Sequence, residues 1–311
     1  MFKMKKFLLY SSGIVVSLAV LAVLFFIFRQ ASANIQVERE WKVVPVSIPD
    51  LETTTRLEIM PLYEEDRKEN NFGFGHGVSY LILTDSASIL MDLGNDPSES
   101  VHLPSLQNMQ ALGIDWKEID AIVISHPHPD HVGGVKAWQN KTISFGDFPA
   151  DLSKIPIYVP VSLTYSGGSL IHSAEPTLIS KDIVTTGAIP YSEVFPIYLF
   201  TPKGYEQGLV INVAGQGLVL ITGCGHPTLE KLVSRAEALY AQQVVGVVGG
   251  LHYEKLSAKD VQSHIQFLKP RHPRLVALSP HDSSLEALKA FQSAFHGAYQ
   301  FVRVGEAIQF P

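Results

Sequence analysis

The sequence contains only one cysteine, Cys224, so an internal disulfide framework is excluded. That residue is left as a candidate ligand, a reactive thiol or a small buried side chain. Positive charge is also scarce, because residues 34–311 hold 20 Lys and Arg against 30 Asp and Glu. Nucleic-acid binding needs a basic footprint, so this acidic region is not expected to bind nucleic acid. The hydrophobic content of 46% instead indicates a well-packed globular domain.

One long hydrophobic run is present at residues 7–28, which carry no charge. About 20 apolar residues span a bilayer, whereas the core of a signal peptide has about 7–15. The run therefore favours an uncleaved signal anchor. The alternative is a cleaved signal peptide and a secreted protein, since the Ala-Ser-Ala segment ending at Ala33 resembles a cleavage site. Lys3, Lys5 and Lys6 precede the run, so a single-pass cell-membrane protein with an extracytoplasmic catalytic domain is predicted.

The remaining chain shows no low-complexity stretch or strong repeat. We interpret residues 1–33 as the cytoplasmic N-terminus and anchor, 34–55 as a linker, and 56–311 as one catalytic domain. The domain consists of two successive parts of the chain. Each part begins with short β-type runs and continues with helical patterns. One predicted helix, at residues 227–241, opens on Pro227. This order predicts two sheets packed face to face with helices outside.

The densest chemical signal is the segment "SHPHPDHVGG" at residues 125–134. His126 and His128 are two residues apart, so in an extended or turning segment they can share one metal ion. Asp130 and His131 follow at a sharp turn and can face a second ion. The two intervening prolines stiffen the loop, which reduces the entropy lost when metal binds. The segment predicts a metal site.

Further histidines follow predicted strands later in the chain. His226 comes after "GLVLIT", His252 after "VVGVVGG", and His281 after "LVALS". The ends of neighbouring strands meet at one edge of a sheet, so we expect these side chains to join the opening cluster in one site.

Several motifs of the sequence resemble those of a known family. "VSYLIL", "ILMDLGND", "AIVISHPHPDHVGG", "GLVLITGCGHPTLEKLV", "VVGGLH" and "SPHD" resemble the metallo-β-lactamase-fold superfamily, and within it the dihydropterin ribofuranosylaminobenzene-phosphate synthase-like branch. The resemblance covers roughly residues 57–311. It implies an α/β (α+β) fold, a four-layer αββα sandwich with a two-metal site in the crevice between the sheets. The apolar run at residues 7–28 predicts one transmembrane helix before this domain.

The resemblance implies a ligand set, carried over position by position. His126 and His128 would hold the first metal, and Asp130 and His131 the second. The third histidine of the common pattern is missing from the turn at residues 201–205, so His226 is assigned in its place. His281 matches the last ligand position.

Three further residues are given roles around these ligands. Asp92 is expected behind a ligand histidine, with the alternative that it merely caps the turn before Gly94. Cys224 falls where other branches place a bridging aspartate, so it would bridge the metals or lie just behind them. His252 would be a seventh ligand or a proton donor to the leaving group. We expect Asp130 and His252 to be the catalytic side chains.

Two divalent ions are expected as cofactors, with zinc favoured and manganese or iron as alternatives. Such ions lower the pKa of a bound water to about 7, which predicts a membrane-anchored hydrolase using a metal-activated hydroxide on a phosphoester or related small molecule. The segment "GCGHP" lacks the serine of a nucleophile elbow, so serine-hydrolase chemistry is not expected. One alternative is pterin-type biosynthesis on a phosphorylated substrate. Another is a non-catalytic metal-dependent binding or sensing domain. The sequence predicts no particular oligomeric state.

Overall fold

The computed structural model describes residues 2–42, 50–98, 102–147, 152–193, 197 and 201–311. The chain divides into two compact units. The first comprises Met1–Val44 and Pro190–Gly204, and the second comprises Pro45–Ile189 and Tyr205–Pro311. The second unit makes up most of the predicted catalytic domain.

The first unit contains a single long helix, α1 (Phe2–Trp41), which includes the predicted membrane span and continues beyond it. Its segment Ile14–Trp41 is long and apolar enough, by length and composition, to cross a membrane. A signal sequence near the N-terminus has the same properties, so the helix is a candidate span. The predicted linker is helical up to residue 41, and its residues 43–49 lie outside the described part of the chain.

The C-terminal part of α1 makes polar contacts with a small two-stranded sheet. The strands are β9 (Ile189–Ser192) and β10 (Lys203–Glu206). The Ser192 hydroxyl donates a hydrogen bond to the Asn34 side chain at 2.5 Å. The Lys203 ammonium donates to the Glu40 carboxylate, also at 2.5 Å. Buried residues of α1 in this region are Ala33 and Val37. This end of the helix is therefore part of a folded unit.

The second unit contains a seven-stranded sheet. Its strands, in spatial order, are β15 (Ile308–Gln309), β1 (Leu57–Tyr63), β2 (Ser79–Thr84), β3 (Ser88–Met91), β4 (Ala121–Val123), β5 (Ile157–Val159) and β6 (Leu170–His172). The strands from β15 to β3 pair antiparallel, whereas those from β3 to β6 pair parallel. The parallel part brings the C-terminal ends of β3 and β4 together at one edge.

The same unit contains a six-stranded sheet. Its strands, in spatial order, are β14 (Leu275–Leu278), β13 (Val244–Gly249), β12 (Gly217–Thr222), β11 (Leu209–Val213), β8 (Ile183–Thr185) and β7 (Leu178–Ser180). Strands β12, β13 and β14 are parallel, so the residues that follow each of them emerge at the same edge.

The main hydrophobic core lies between the two sheets. It joins side chains of the seven-stranded sheet, such as Ile59 and Ile89, to side chains of the six-stranded sheet, such as Ile211 and Ile221, and all four are fully buried. A second cluster covers the other face of the seven-stranded sheet and includes Leu106. The helices near this second cluster are α2 (Pro104–Ala111) and α3 (Val135–Gln139).

Helix α4 (Leu229–Tyr240) contacts β12 and β13 on the six-stranded sheet, and its buried residues recur at helical spacing. Helix α5 (Ala258–Leu268) packs on α4 and on α6 (Leu285–Ala294). The second unit therefore has the predicted order of layers: helix, sheet, sheet, helix. The predicted helix start at Pro227 is wrong, because Thr228 has a φ of 87°, which no right-handed helix allows, and α4 begins at Leu229.

Candidate metal centre

The histidine-rich segment leaves β4 and forms a tight turn. The amides of His131 and Val132 both donate to the His128 carbonyl, at 3.0 and 3.2 Å, and the amide of Gly134 donates to the Pro129 carbonyl at 2.7 Å. This turn separates the first two histidines from Asp130 and His131. The two pairs therefore belong to two different groups of donor atoms.

The first group consists of His126, His128 and His226. Nε2 of His226 lies 3.3 Å from Nε2 of His126 and 3.2 Å from Nδ1 of His128. His126 and His128 are buried, and His226 is partly buried. Three imidazole nitrogens separated by such distances can surround one ion.

The second group consists of Asp130, His131, Cys224 and His281. Sγ of Cys224 lies between two histidines, 3.0 Å from Nε2 of His131 and 3.3 Å from Nε2 of His281. The Asp130 carboxylate lies 3.5 Å from Nε2 of His131. All the donors except Asp130 are buried, and Asp130 is partly buried. The lone cysteine of the chain therefore lies among ligand-type side chains.

Asp92 contacts the outer nitrogen of His131. Its Oδ2 lies 2.7 Å from Nδ1 of His131 and accepts a hydrogen bond from the Ser125 hydroxyl at 2.6 Å, while its Oδ1 accepts one from the Ser125 amide. Ser125 in turn lies 2.9 Å from Nδ1 of His126. A carboxylate in this position fixes the ring orientation and makes Nε2 the free nitrogen.

The turn that carries His226 depends on close backbone approach. A β-carbon at Gly223 would lie 2.2 Å from the Ser125 hydroxyl, so only glycine fits there. Gly225 has a φ of 72°, in the left-handed region. The Glu206 carboxylate accepts hydrogen bonds from the amides of Gly225 and His226, at 2.8 and 2.9 Å. The His226 ring is thus positioned by its backbone.

Two buried carboxylates near the site do not follow from the sequence patterns. Glu64, directly after β1, accepts a hydrogen bond from the Ser279 hydroxyl, which lies 2.6 Å from Nδ1 of His281. Glu206 holds the His226 turn, as described above. Neither residue belongs to a metal-ligand motif. The only indication of them in the sequence is an acidic residue at the end of a strand.

His252 lies beside the first group but is not part of it. Its φ is 54°, its ring centroid is 4.6 Å from that of His226, and its amide donates to the Asp282 carboxylate at 2.9 Å. Its Nδ1 is buried without a hydrogen-bond partner among the residues that the structure describes. Such a nitrogen is available to a ligand, a substrate or a water.

Burial changes the charge state of several groups here. It raises the pKa of the carboxyl groups of Glu64 and Glu206 to about 7, and that of Asp282 well above its usual value. It also lowers the pKa of His126 and His226 well below the usual value, and neighbouring histidines lower it further. These rings are therefore neutral at pH 7, and their lone pairs can bind a cation.

The second group attracts positive charge. Burial raises the pKa of Asp130, but the nearby His131 offsets this effect and brings the pKa well below its usual value. Burial lowers the pKa of His131, but Cys224, Asp92 and Asp130 raise it well above the usual value. A proton on His131 thus compensates the carboxylates around it, and a metal cation can do the same.

The donor atoms fit zinc. Three histidine nitrogens form the first group, whereas the second combines two histidine nitrogens, a carboxylate and a sulfur. Zinc binds nitrogen, sulfur and carboxylate ligands, usually four of them. Thiolate ligands also disfavour magnesium and calcium, which prefer oxygen. The residues present therefore suit borderline transition-metal ions.

The sequence is similar to those of several known proteins. The model of the metallo-beta-lactamase superfamily matches residues 72–143. The chain is 25% identical over 288 residues to 7,8-dihydropterin-6-methyl-4-(beta-D-ribofuranosyl)-aminobenzene-5'-phosphate synthase of Methanocaldococcus jannaschii, covering 82% of this chain and 97% of the relative. An uncharacterized protein of the same organism is 26% identical over 211 residues, which are 62% of this chain and 79% of that protein.

Two solved structures share the fold. A metal-dependent hydrolase of the beta-lactamase superfamily superposes with a TM-score of 0.60 at 20% identity, covering 81% of this chain and 98% of the other. A metallo-beta-lactamase fold protein of Bacillus subtilis superposes with a TM-score of 0.52 at 14% identity, covering 82% of this chain and 99% of the other. The predicted resemblance is confirmed at the level of fold and sequence likeness.

Proposed function

We propose that this chain, which has the metallo-β-lactamase fold, is a membrane-anchored dinuclear metal-dependent hydrolase. Its substrate would be a phosphoester or a related small molecule. The observation that carries the proposal is the pair of adjacent donor groups that meet at the strand ends of the two sheets. The likeness to a protein that is named for a phosphate-containing product supports the choice of substrate class.

His126, His128 and His226 would hold one ion, and Asp130, His131 and His281 the other, with Cys224 as a bridge or further ligand. When bound, two divalent ions activate water near neutral pH and stabilise the negative charge that develops on a hydrolysed substrate. The residues behind the ligands keep the donor atoms aimed at the ions. Asp92 orients His131, and Glu206 fixes the backbone that presents His226.

His252 is the side chain best placed to serve the leaving group. Its backbone is fixed by Asp282, and its ring faces the first donor group, with a buried Nδ1 that has no partner among the described residues. Asp130 is the second catalytic candidate, because it is a proposed ligand and the only partly exposed donor of the second group. If His252 instead binds metal, it becomes a fourth nitrogen ligand of the first ion.

A biosynthetic role is the alternative that a specific observation favours. The relative that is 25% identical is named as a synthase, and the match covers 97% of it. A synthase of this kind would also handle a phosphorylated substrate. The predicted outward orientation of the catalytic domain argues against it, since pterin synthesis belongs in the cytoplasm.

The proposal predicts two divalent ions per chain and hydrolytic turnover. The purified full-length chain, kept in detergent and loaded with zinc, is expected to bind two ions by elemental analysis. It is then expected to hydrolyse at least one member of a panel of phosphodiester, lactone and thioester substrates. Removing the ions with a chelator should abolish turnover, and re-adding zinc should restore it.

At most one bound ion under metal-replete conditions would contradict the dinuclear centre. Two bound ions without hydrolysis of any substrate, together with condensation of a dihydropterin and an aminobenzene ribose phosphate, would favour the biosynthetic alternative. Two bound ions with neither activity would favour a binding or sensing domain.

The anchor is a separate prediction. Helix α1 continues through Ala33 as far as Trp41, and its C-terminal part contacts β9 and β10, so cleavage after Ala33 would remove the N-terminal part of a folded helix. We expect the full-length chain to stay in the membrane fraction after a high-salt wash, with an N-terminal tag retained. A soluble form that starts near Asn34 would show cleavage instead.

A further inference from the structure

His76 contacts the second donor group from outside it. This residue lies in the loop between β1 and β2, where no ligand was predicted. Its Nε2 is 3.5 Å from Oδ2 of Asp130, and its ring centroid is 5.2 Å from that of His281. Both neighbours belong to the second group. The ring therefore borders the position of the second ion.

The backbone of this loop is packed directly against Asp130. The amide of Val78 donates to the Asp130 carbonyl at 3.2 Å. A β-carbon at Gly77 would lie only 2.6 Å from the same oxygen, and Gly77 has a φ of 140°. Position 77 thus requires glycine, and the close approach that it allows fixes the neighbouring His76 beside Asp130.

The outer nitrogen of His76 is held by a carboxylate, as that of His131 is. Its Nδ1 lies 2.9 Å from the Glu65 carboxylate. In the same way, Nδ1 of His131 lies 2.7 Å from Asp92. A carboxylate that accepts from one ring nitrogen makes the other nitrogen the metal-binding atom.

That arrangement aims Nε2 of His76 at the carboxylate of Asp130, because Nδ1 already contacts Glu65. A cation between Nε2 and Oδ2 would bind both atoms. Two ligands of one zinc ion, each bound at about 2.1 Å, are at most about 4.2 Å apart, and the 3.5 Å between Nε2 and Oδ2 lies within that limit.

We propose that His76 is a further protein ligand of the second metal ion, with Glu65 as its positioning residue; this inference rests on the dinuclear centre proposed above. The side chain of His76 is 58% exposed, whereas His131 and His281 are buried. An exposed ligand can leave the ion without disturbing the core, so His76 is the ligand that a substrate would displace.

The experiment compares metal affinities rather than activity. The full-length chain in detergent is stripped of metal and titrated with zinc against a competing chromophoric chelator. The variants are His76→Ala, Glu65→Gln and, as a matched control, His296→Ala, which removes an exposed histidine outside the two donor groups. We expect His76→Ala to bind the first ion normally and the second at least about 10-fold more weakly, and Glu65→Gln to weaken the second ion to a smaller extent.

Two results would overturn the inference, and they differ. If the wild type binds two ions and His76→Ala binds both with unchanged affinity, His76 is only an ion-pair partner of Asp130. If the wild type itself binds no second ion, the proposed dinuclear centre fails, and the inference fails with it. The control must bind two ions as the wild type does.

Discussion

Replacing His226 with alanine is expected to weaken binding of the first metal ion at least about 100-fold, and to abolish activity with it. His126 and His128 would then be the only members of the first donor group, and two neutral imidazoles leave a zinc ion short of ligands. Residues that merely support a ligand already contribute about 10–100-fold in metal affinity, so losing a ligand should have a larger effect. The change corresponds to about 2.7 kcal/mol or more.

The fold should survive this substitution. The contact that fixes the turn is made by the His226 amide, which alanine retains, and the ring is only partly buried. The His226→Ala chain should therefore unfold at nearly the same temperature as the wild type when both are free of metal. Two bound zinc ions of unchanged affinity in His226→Ala, as in His296→Ala, would show that the third ligand of the first ion lies elsewhere. His252, whose ring neighbours His226, would then be the next residue to replace.

The side chains within residues 126–131 that could bind metal were predictable from the sequence, because their relative positions depend only on the local backbone. Proline and glycine fix the turn, and ligand spacing within six residues follows from the backbone alone. The layers of the fold could be predicted for a similar reason, since strand and helix patterns report which faces are buried. His226 and His281 were expected near this cluster from their positions after strands, and the family resemblance implied that they are ligands. The parallel pairing of β12, β13 and β14 brings them to one edge.

The supporting residues could not be predicted in this way. Glu64 reaches Ser279 across 215 residues, and the contact exists only because the two sheets face each other. Glu206 and Gly225 meet through the packing of neighbouring loops. The start of α4 was misplaced because Pro227 favours a first helical position, whereas the backbone at Thr228 is still turning. Each of these features depends on packing between segments that are distant in the sequence.

These supporting residues share a physical role. Asp92, Glu64 and Glu206 are all fully buried, and each accepts hydrogen bonds from groups that hold a donor side chain. A buried carboxylate is costly unless its hydrogen-bonding capacity is satisfied. The hydrogen bonds that these groups accept offset that cost, and the same bonds hold the histidines in place. This pattern is expected where precise ligand positions determine function.

The position of Cys224 leads to the second large effect. Burial raises the pKa of its thiol well above the usual value, although His131 acts in the opposite direction. In the metal-free chain the side chain is therefore an uncharged thiol. A thiol that binds a metal is instead deprotonated outright. Sγ lies 3.0 Å from Nε2 of His131 and 3.3 Å from Nε2 of His281, so we expect it to be a ligand of the second ion and not a residue behind the metals.

We therefore expect the cobalt-loaded full-length chain to show a thiolate-to-cobalt charge-transfer absorption in the near ultraviolet. Cys224→Ser should lose that band and bind zinc at the second site at least about 10-fold more weakly, because an alcohol is a much poorer ligand than a thiolate. Cys224→Asp restores an anionic ligand without sulfur. It should therefore recover part of the zinc affinity but none of the absorption. The second site should also shift its preference from zinc towards manganese. If the wild-type chain binds two cobalt ions without this absorption, Cys224 is not a ligand and lies just behind the metals. Cys224→Ser should then bind zinc as tightly as the wild type does.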